Sequence, residues 1–232
     1  MVICVSARSS GFSRDFLDPG VLLGNWGAFR SVKRMHEHRK LKTGSNEQPT
    51  EQHACRKHAL HQPAHIELDN TLYLLTAACY KHGAYIDTAE RRNTVRNMLL
   101  DELDQHGCRV YAWVVVPNHY HVLVQVSRFA DLPIVFRRIH GRTARIWNLE
   151  DDAAGRKVWY RYTGRVIRSE RHYWTTVNYI HFNPVKHGLV DSPYGWEWSS
   201  VHGYLENEGI EWLRDLWRTF PVRDYGKSWD NT

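Results

Sequence analysis

The stretch Val110–Val126, reading VYAWVVVPNHYHVLVQV, limits the possible folds more than any other part of the chain. Two valine-rich runs flank the turn signal Pro117-Asn118, and they read as two buried strands joined by a tight connection. Residues two apart on a strand share a face, roughly 6.6 Å apart at about 3.3 Å per residue. His119 and His121 therefore project together, while Tyr120 and Val122 face the other way. Two imidazoles at the mouth of a sheet can converge on one divalent ion. The chain has 15 histidines, so a His-x-His pair alone says little. Its apolar setting says more, because buried imidazoles without partners are costly.

The 232 residues fit one domain with extensions, and 42% hydrophobic content with 10 Trp and 12 Tyr supplies a core. A net charge of +6 and a pI of about 9.2 favour a polyanionic partner, nucleic acid first. The four cysteines are scattered without CxxC spacing, which argues against a disulfide framework and for a reducing cytoplasm. Cys55, His58 and His61 lie near His53, but the group lacks the second ligand pair of a structural zinc site. No apolar run reaches the length of a membrane span, and the N-terminus lacks the apolar core of a signal peptide. Internal repeats, a P-loop and a dinucleotide fingerprint are missing from the sequence.

Residues 1–63 are polar, with a basic cluster from Arg30 to Lys42, and read as a partly disordered basic extension. The folded domain is expected over residues 64–205, followed by a tail at 206–232. Leu72–Tyr80 is a strand candidate. Asp87 followed by Glu90 resembles a capping box, and Val95, Met98, Leu99 and Leu103 then recur at helical spacing, predicting a helix over 88–105 ended by Gly107. A second helix is predicted from Ala130 to Leu149, with Arg137, Arg138, Arg142 and Arg145 outside its apolar positions. Lys157–Arg168, KVWYRYTGRVIR, reads as a short strand or extended loop, and its interleaved aromatics and arginines suit unpaired bases and phosphates. Trp159 and Tyr160 covering the core is the plainer alternative. Ser169 caps a third helix that Pro184 is expected to stop and Gly188 to complete. Trp196–Leu205 reads as a cover that packs tryptophans onto the domain, and Ile210–Trp217 as a short amphipathic piece.

The third helix carries Tyr179 and Asn183 four residues apart, on one face and at its end. A tyrosine near a histidine-bound cation can cut a phosphodiester, with the ion offsetting charge on the phosphate. Asn183 could supply a third ligand. Tyr173, six residues before Tyr179 and about 600° around the helix, faces away. Tyr160 and Tyr162 could reach the site if their loop folds back.

The series WVVVPNHYHVLV, WYRYTGRVIR, YIHFNPVKHGLV and WEWSS resembles the REP-associated tyrosine transposases, Y1 transposases of the IS200/IS605 kind within the HUH endonuclease superfamily. The resemblance covers about residues 64–205. It implies that His119 and His121 bind a divalent metal ion, Mg²⁺ or Mn²⁺, with Asn183 as third ligand. It also implies that Tyr179 is the nucleophile, cutting single-stranded DNA hairpins of REP type through a 5′-phosphotyrosine. Arg161, Arg165, Arg168 and Lys186, with the four arginines of the second helix, are the candidate DNA contacts. The implied setting is a bacterial cytoplasm at the nucleoid, with a monomer or a homodimer as the working unit. The expected fold is α+β, an antiparallel sheet of about four or five strands with helices packed on it, ferredoxin-like. Two other readings stand beside this one. One is a hairpin-binding protein of the same fold without turnover. The other is a histidine-triad hydrolase, disfavoured because Leu123 stands where a third alternating histidine belongs.

Overall fold

In the computed structural model, residues 67–227 are described, and the basic extension with its Cys55, His58 and His61 group lies outside them. Four strands form one antiparallel sheet in the order β2-β3-β1-β4: β1 (Thr71–Ala78), β2 (Arg109–Val116), β3 (His119–Val126) and β4 (Thr163–Val166). Five α-helices accompany it, α1 (Ala89–Gln105), α2 (Leu132–Glu150), α3 (Glu170–Lys186), α4 (Val201–Glu208) and α5 (Ile210–Thr219). This is the α+β architecture expected.

Register assigns the faces. His119 pairs with Ala78, and His121 with Thr76 on β1 and Val114 on β2. His119, His121 and Leu123 therefore share one face with Thr76, Ala78 and Val114, and this face lies against α3. Tyr120, Val122 and Val124 point to the opposite face, where the Tyr120 hydroxyl is hydrogen-bonded to His140 of α2. Helices cover both sides of the central strands, which explains why β3 is a nearly unbroken apolar run rather than an alternating one. Arg165 of β4 pairs with Leu74, placing it on the face of the histidine pair.

Local chemistry sets the helix ends. The N-cap of α1 is Thr88, whose hydroxyl accepts from the Arg91 amide at 3.2 Å. The cap is thus one residue later than the Asp87 start predicted, because the threonine hydroxyl reaches the third amide of the turn. Ser169 caps α3 by accepting from His172, as expected. Pro184 does not stop α3, which continues to Lys186 and closes over Gly188 in the left-handed region at φ +67°. Proline removes one intrahelical bond, but the turn around it is held by burial, with Asn183 and Pro184 inside. The amides of His187 and Leu189 still bond back to Asn183 and Pro184. β1 is shorter than predicted, because Tyr80–His82 leaves the strand as a tight turn.

Beyond α3 the chain is integrated with the domain. Trp198–Ser200 runs antiparallel beside β2, Val115 donating to Trp198 and Ser200 to Trp113. Helix α4 crosses the expected boundary at residue 205. Asn178 of α3 donates to the Leu216 and Phe220 carbonyls, so the expected tail begins as a helix fixed to α3.

Candidate active site on the β3–α3 face

The site grows out of the turn between β2 and β3. Asn118 closes this turn, and its Oδ1 accepts a hydrogen bond from His119 Nδ1 at 2.7 Å. That donation fixes the tautomer, leaving the Nε2 lone pair directed to the other side of the ring. One pleat further on, His121 is hydrogen-bonded through Nδ1 to the Thr76 hydroxyl at 2.7 Å and through Nε2 to Tyr179 Oη at 3.2 Å. The two imidazole rings lie 4.8 Å apart, edge to face. His121 is 0% and His119 3% exposed. Both rings are held by partners on Nδ1, the arrangement by which metal-ligating histidines are oriented.

Helix α3 brings Tyr179 to this point, with Asn183 four residues further along the same helix. Tyr179 stands 5.0 Å from the His121 ring, centroid to centroid. Asn183, one turn further, is 0% exposed, and neither its Oδ1 nor its Nδ2 has a hydrogen-bond partner. A buried amide left in this state costs free energy unless something else satisfies it. Among the described residues no group of three His, Cys, Asp or Glu side chains is arranged to hold a metal ion. The residues that could hold one are the two imidazoles, with the unpartnered Asn183 amide as a candidate third donor, a set whose chemistry suits a divalent ion of borderline hardness.

Tyr179 is covered. It is 1% exposed, with the Tyr225 ring edge-on at 5.5 Å and Lys186 Nζ 5.3 Å above its own ring. Lys186 donates to the Gly226 carbonyl at 2.9 Å, fastening residues 225–227 across the phenol. Tyr225 is held in turn by His172 and Thr176. Burial pushes the Tyr225 phenol up to about 12, so it stays a neutral hydroxyl at ordinary pH. His172 is pushed down, first by burial and then by Arg168 and Arg165.

The other candidate residues divide between the two faces. Arg165 and Lys186 are on the face of the site, and Arg168 lies beside His172. Arg161 is exposed on the approach to β4. Arg137, Arg138, Arg142 and Arg145 are exposed on α2, across the sheet from His119 and His121, and Arg138 is paired with Glu102 at 3.1 Å. Tyr173 is buried against Tyr111, and Tyr162 stacks on Phe136 of α2 at 3.9 Å. Tyr179 is the tyrosine brought to the histidine pair.

Four residues of the site carry little signal in sequence. Thr76 has none, since only the register of β1 on β3 brings it to His121. Asn118 adjoins the pair in PNHYH but reads first as a turn residue. His187, whose ring is 4.9 Å from that of His119, could have been found two helical turns after Tyr179. Gly226 lies in a segment with no recognisable pattern.

A family model described as Transposase IS200 like matches residues 70–182. A Haemophilus influenzae protein that provisionally bears the name REP-associated tyrosine transposase is 27% identical over 149 residues, 55% of this chain and 85% of that protein. The REP-associated tyrosine transposase of Escherichia coli is 33% identical over 111 residues, 46% of this chain. This chain spans 64% of the length of the E. coli protein. The solved structure of a REP-associated tyrosine transposase bound to a REP hairpin superposes with a TM-score of 0.53 at 19% identity, over 65% of this chain and 88% of that one. The superposition speaks for the fold, and the matched segment runs from β1 into the helix that carries Tyr179, ending before Asn183. Residues 70–182 of the chain are thus similar to the IS200-like transposases, and the relatives they resemble are REP-associated tyrosine transposases.

Proposed function

We propose that the chain is a divalent-metal-dependent endonuclease and strand transferase that acts on single-stranded, REP-like DNA hairpins through Tyr179, at the bacterial nucleoid. The observation that carries this reading is the 3.2 Å contact between Tyr179 Oη and His121 Nε2 within one chain. The contact supports a reading in which a tyrosine and the histidine pair of one chain act together. The names of the curated relatives, and the hairpin in the structure with the same fold, support the substrate class.

His119, His121 and Asn183 would hold Mn²⁺ or Mg²⁺, the imidazoles favouring manganese. A bound ion would offset charge on a non-bridging oxygen of the scissile phosphate. Tyr179 Oη gives up its proton and bonds to phosphorus as the P–O3′ bond breaks, leaving a 5′-phosphotyrosine and a free 3′-OH. The ester preserves the bond energy, so a later 3′-OH can displace the tyrosine without nucleotide hydrolysis. Arg161, Arg165, Arg168 and Lys186 would grip phosphates near the cut. Arg137, Arg138, Arg142 and Arg145 would meet only a part of the hairpin that wraps to the far face.

One observation favours the second reading, a hairpin binder without turnover, namely the cover of Tyr225 and Gly226 over a nucleophile that is 1% exposed. An end-labelled hairpin with unpaired flanks, incubated with Mn²⁺, Mg²⁺ or EDTA, separates the two. A denaturant-stable protein–DNA adduct is expected from wild type with an ion and not from Tyr179→Phe, which still binds. An undiminished adduct from Tyr179→Phe moves the nucleophile elsewhere. Binding by wild type without any adduct leaves the binder.

A further inference from the structure

The end of β1 beside the histidine pair carries a second group of side chains that the chemistry above does not use. Tyr80, Lys81 and His82 form a tight turn, and two of its residues, Lys81 at φ 54° and His82 at φ 53°, are in the left-handed region. Non-glycine residues held there are strained, and such strain concentrates at ligand sites. The turn faces Tyr160, which enters from the other side of β1 with its amide bonded to the Ala78 carbonyl. The Tyr80 and Tyr160 rings are 5.1 Å apart, and His82 is 6.1 Å from Tyr160. Lys157 Nζ lies 4.5 Å from the Tyr80 centroid and 5.5 Å from that of Tyr160, and Lys81 Nζ 5.7 Å from Tyr80. Both lysines are exposed and the three rings are half-buried. Among the described residues neither lysine has a carboxylate partner.

The neighbouring aromatics have structural duties that these three lack. Trp159 stacks on His140 and donates to Thr143, and Tyr162 stacks on Phe136, all on the α2 side. Asn118 links the surface cluster to the active site. Its Nδ2 donates to the His82 carbonyl at 3.5 Å, while its Oδ1 accepts from His119. One side chain therefore spans the strained turn and a proposed metal ligand.

We propose that Tyr80, His82 and Tyr160, with Lys81 and Lys157, form a stacking platform for an unpaired nucleotide of the DNA strand next to the scissile phosphate. The inference rests on the single-stranded DNA reading given above. Aromatic faces accept any base, and the ammonium groups that sit over the rings in the free protein would shift to flanking phosphates. The site thereby distinguishes a hairpin with an unpaired flank from a bare hairpin.

The test is binding in EDTA, where cleavage is off, to one hairpin with a short unpaired flank and to the same hairpin blunt. With 2-aminopurine placed in turn at each flank position, wild type is expected to alter the fluorescence at one position next to the stem. Tyr80→Ala and Tyr160→Ala each remove that signal and weaken binding to the flanked hairpin by roughly 5- to 150-fold, the range for loss of one stacked base. Affinity for the blunt hairpin is unchanged, and Tyr80→Phe with Tyr160→Phe keeps both affinity and signal. Lys81→Ala with Lys157→Ala, at exposed positions, lowers the salt dependence with the flanked probe alone. Equal losses on both hairpins, an unaltered flanked affinity in the lysine and alanine variants, or no fluorescence response at any position would each overturn the platform. A wild-type protein that shows the platform signal but forms no adduct with metal would instead overturn the catalytic reading and leave the platform standing.

Discussion

His121 has both ring nitrogens committed, and that commitment sets the chemistry of the site. The Thr76 hydroxyl holds Nδ1 and orients Nε2 toward Tyr179. Removing the hydroxyl while keeping the shape should let the ring rotate and change tautomer. Thr76→Val is therefore expected to lower metal affinity, or adduct formation at limiting Mn²⁺, by about 10- to 100-fold, the usual cost of losing such an orienting partner. Thr76→Ser should retain most of it. A Mn²⁺ titration of adduct formation checks this, and an unchanged titration in Thr76→Val would remove the threonine from the site. Asn183→Ala tests the third donor. Deleting an amide that has no hydrogen-bond partner relieves its desolvation cost while removing some buried packing, so thermal stability should change little while the Mn²⁺ requirement rises. A large fall in melting temperature would show that Asn183 is structural. At this scale the sequence was most informative where period and spacing act within one element. His119 with His121, and Tyr179 with Asn183, were legible because a pleat and a helical turn decide which side chains meet. Thr76 was not, because its partner is 45 residues away and only pairing of β1 with β3 brings them together.

Among the elements, α3 and the segment that crosses it enclose Tyr179. Pro184 was expected to end α3, and in isolation the lost hydrogen bond argues for that. Tertiary burial outweighs it, with Asn183 and Pro184 both enclosed and α5 hydrogen-bonded to Asn178 on the same helix. The covering of Tyr179 by residues 225–227 was illegible for a related reason. Gly226 matters through what it lacks: a Cβ there would lie 2.8 Å from Tyr179 Cζ and closer still to Cε2. The residue also sits at φ +76°, a conformation glycine adopts without strain. Gly226→Ala should push the segment off the phenol and break the Lys186 bond to its carbonyl. If this cover limits access, adduct formation rises by about tenfold, the change that about 1.4 kcal/mol of destabilised cover produces. An adduct yield equal to wild type in a variant of unchanged melting temperature would mean that the cover does not gate the nucleophile.

At the largest scale, buried histidines join the helices and sheet of the described domain, and this makes its stability depend on pH. His181 of α3 bonds to Ser200 at 3.2 Å and packs 4.9 Å from the Tyr204 ring, joining α3 to α4. His140 of α2 is hydrogen-bonded to Tyr120 and stacks on Trp159, joining α2 to the sheet. Burial lowers both to about 3, with a smaller contribution from His202 at His181. In the unfolded chain an imidazole titrates near 6.5. Below that value the unfolded state takes up protons that the folded state refuses, so protonation pulls the equilibrium toward unfolding. The stability is fully present above about pH 6.5 and drains away as the pH falls toward 3. Each histidine contributes a slope approaching about 1.4 kcal/mol per pH unit, so the pair gives up to roughly 2.7. Urea unfolding at pH 7, 6, 5 and 4.5 should show a flat stability at the top of this range and a steep loss below pH 6. The loss begins above the range in which ordinary carboxylates titrate, which distinguishes it from acid unfolding driven by ion pairs. Stability that holds constant down to pH 5 would mean that the two imidazoles are charged in the fold, and the joints they make between helices and sheet would then have to be ionic rather than neutral.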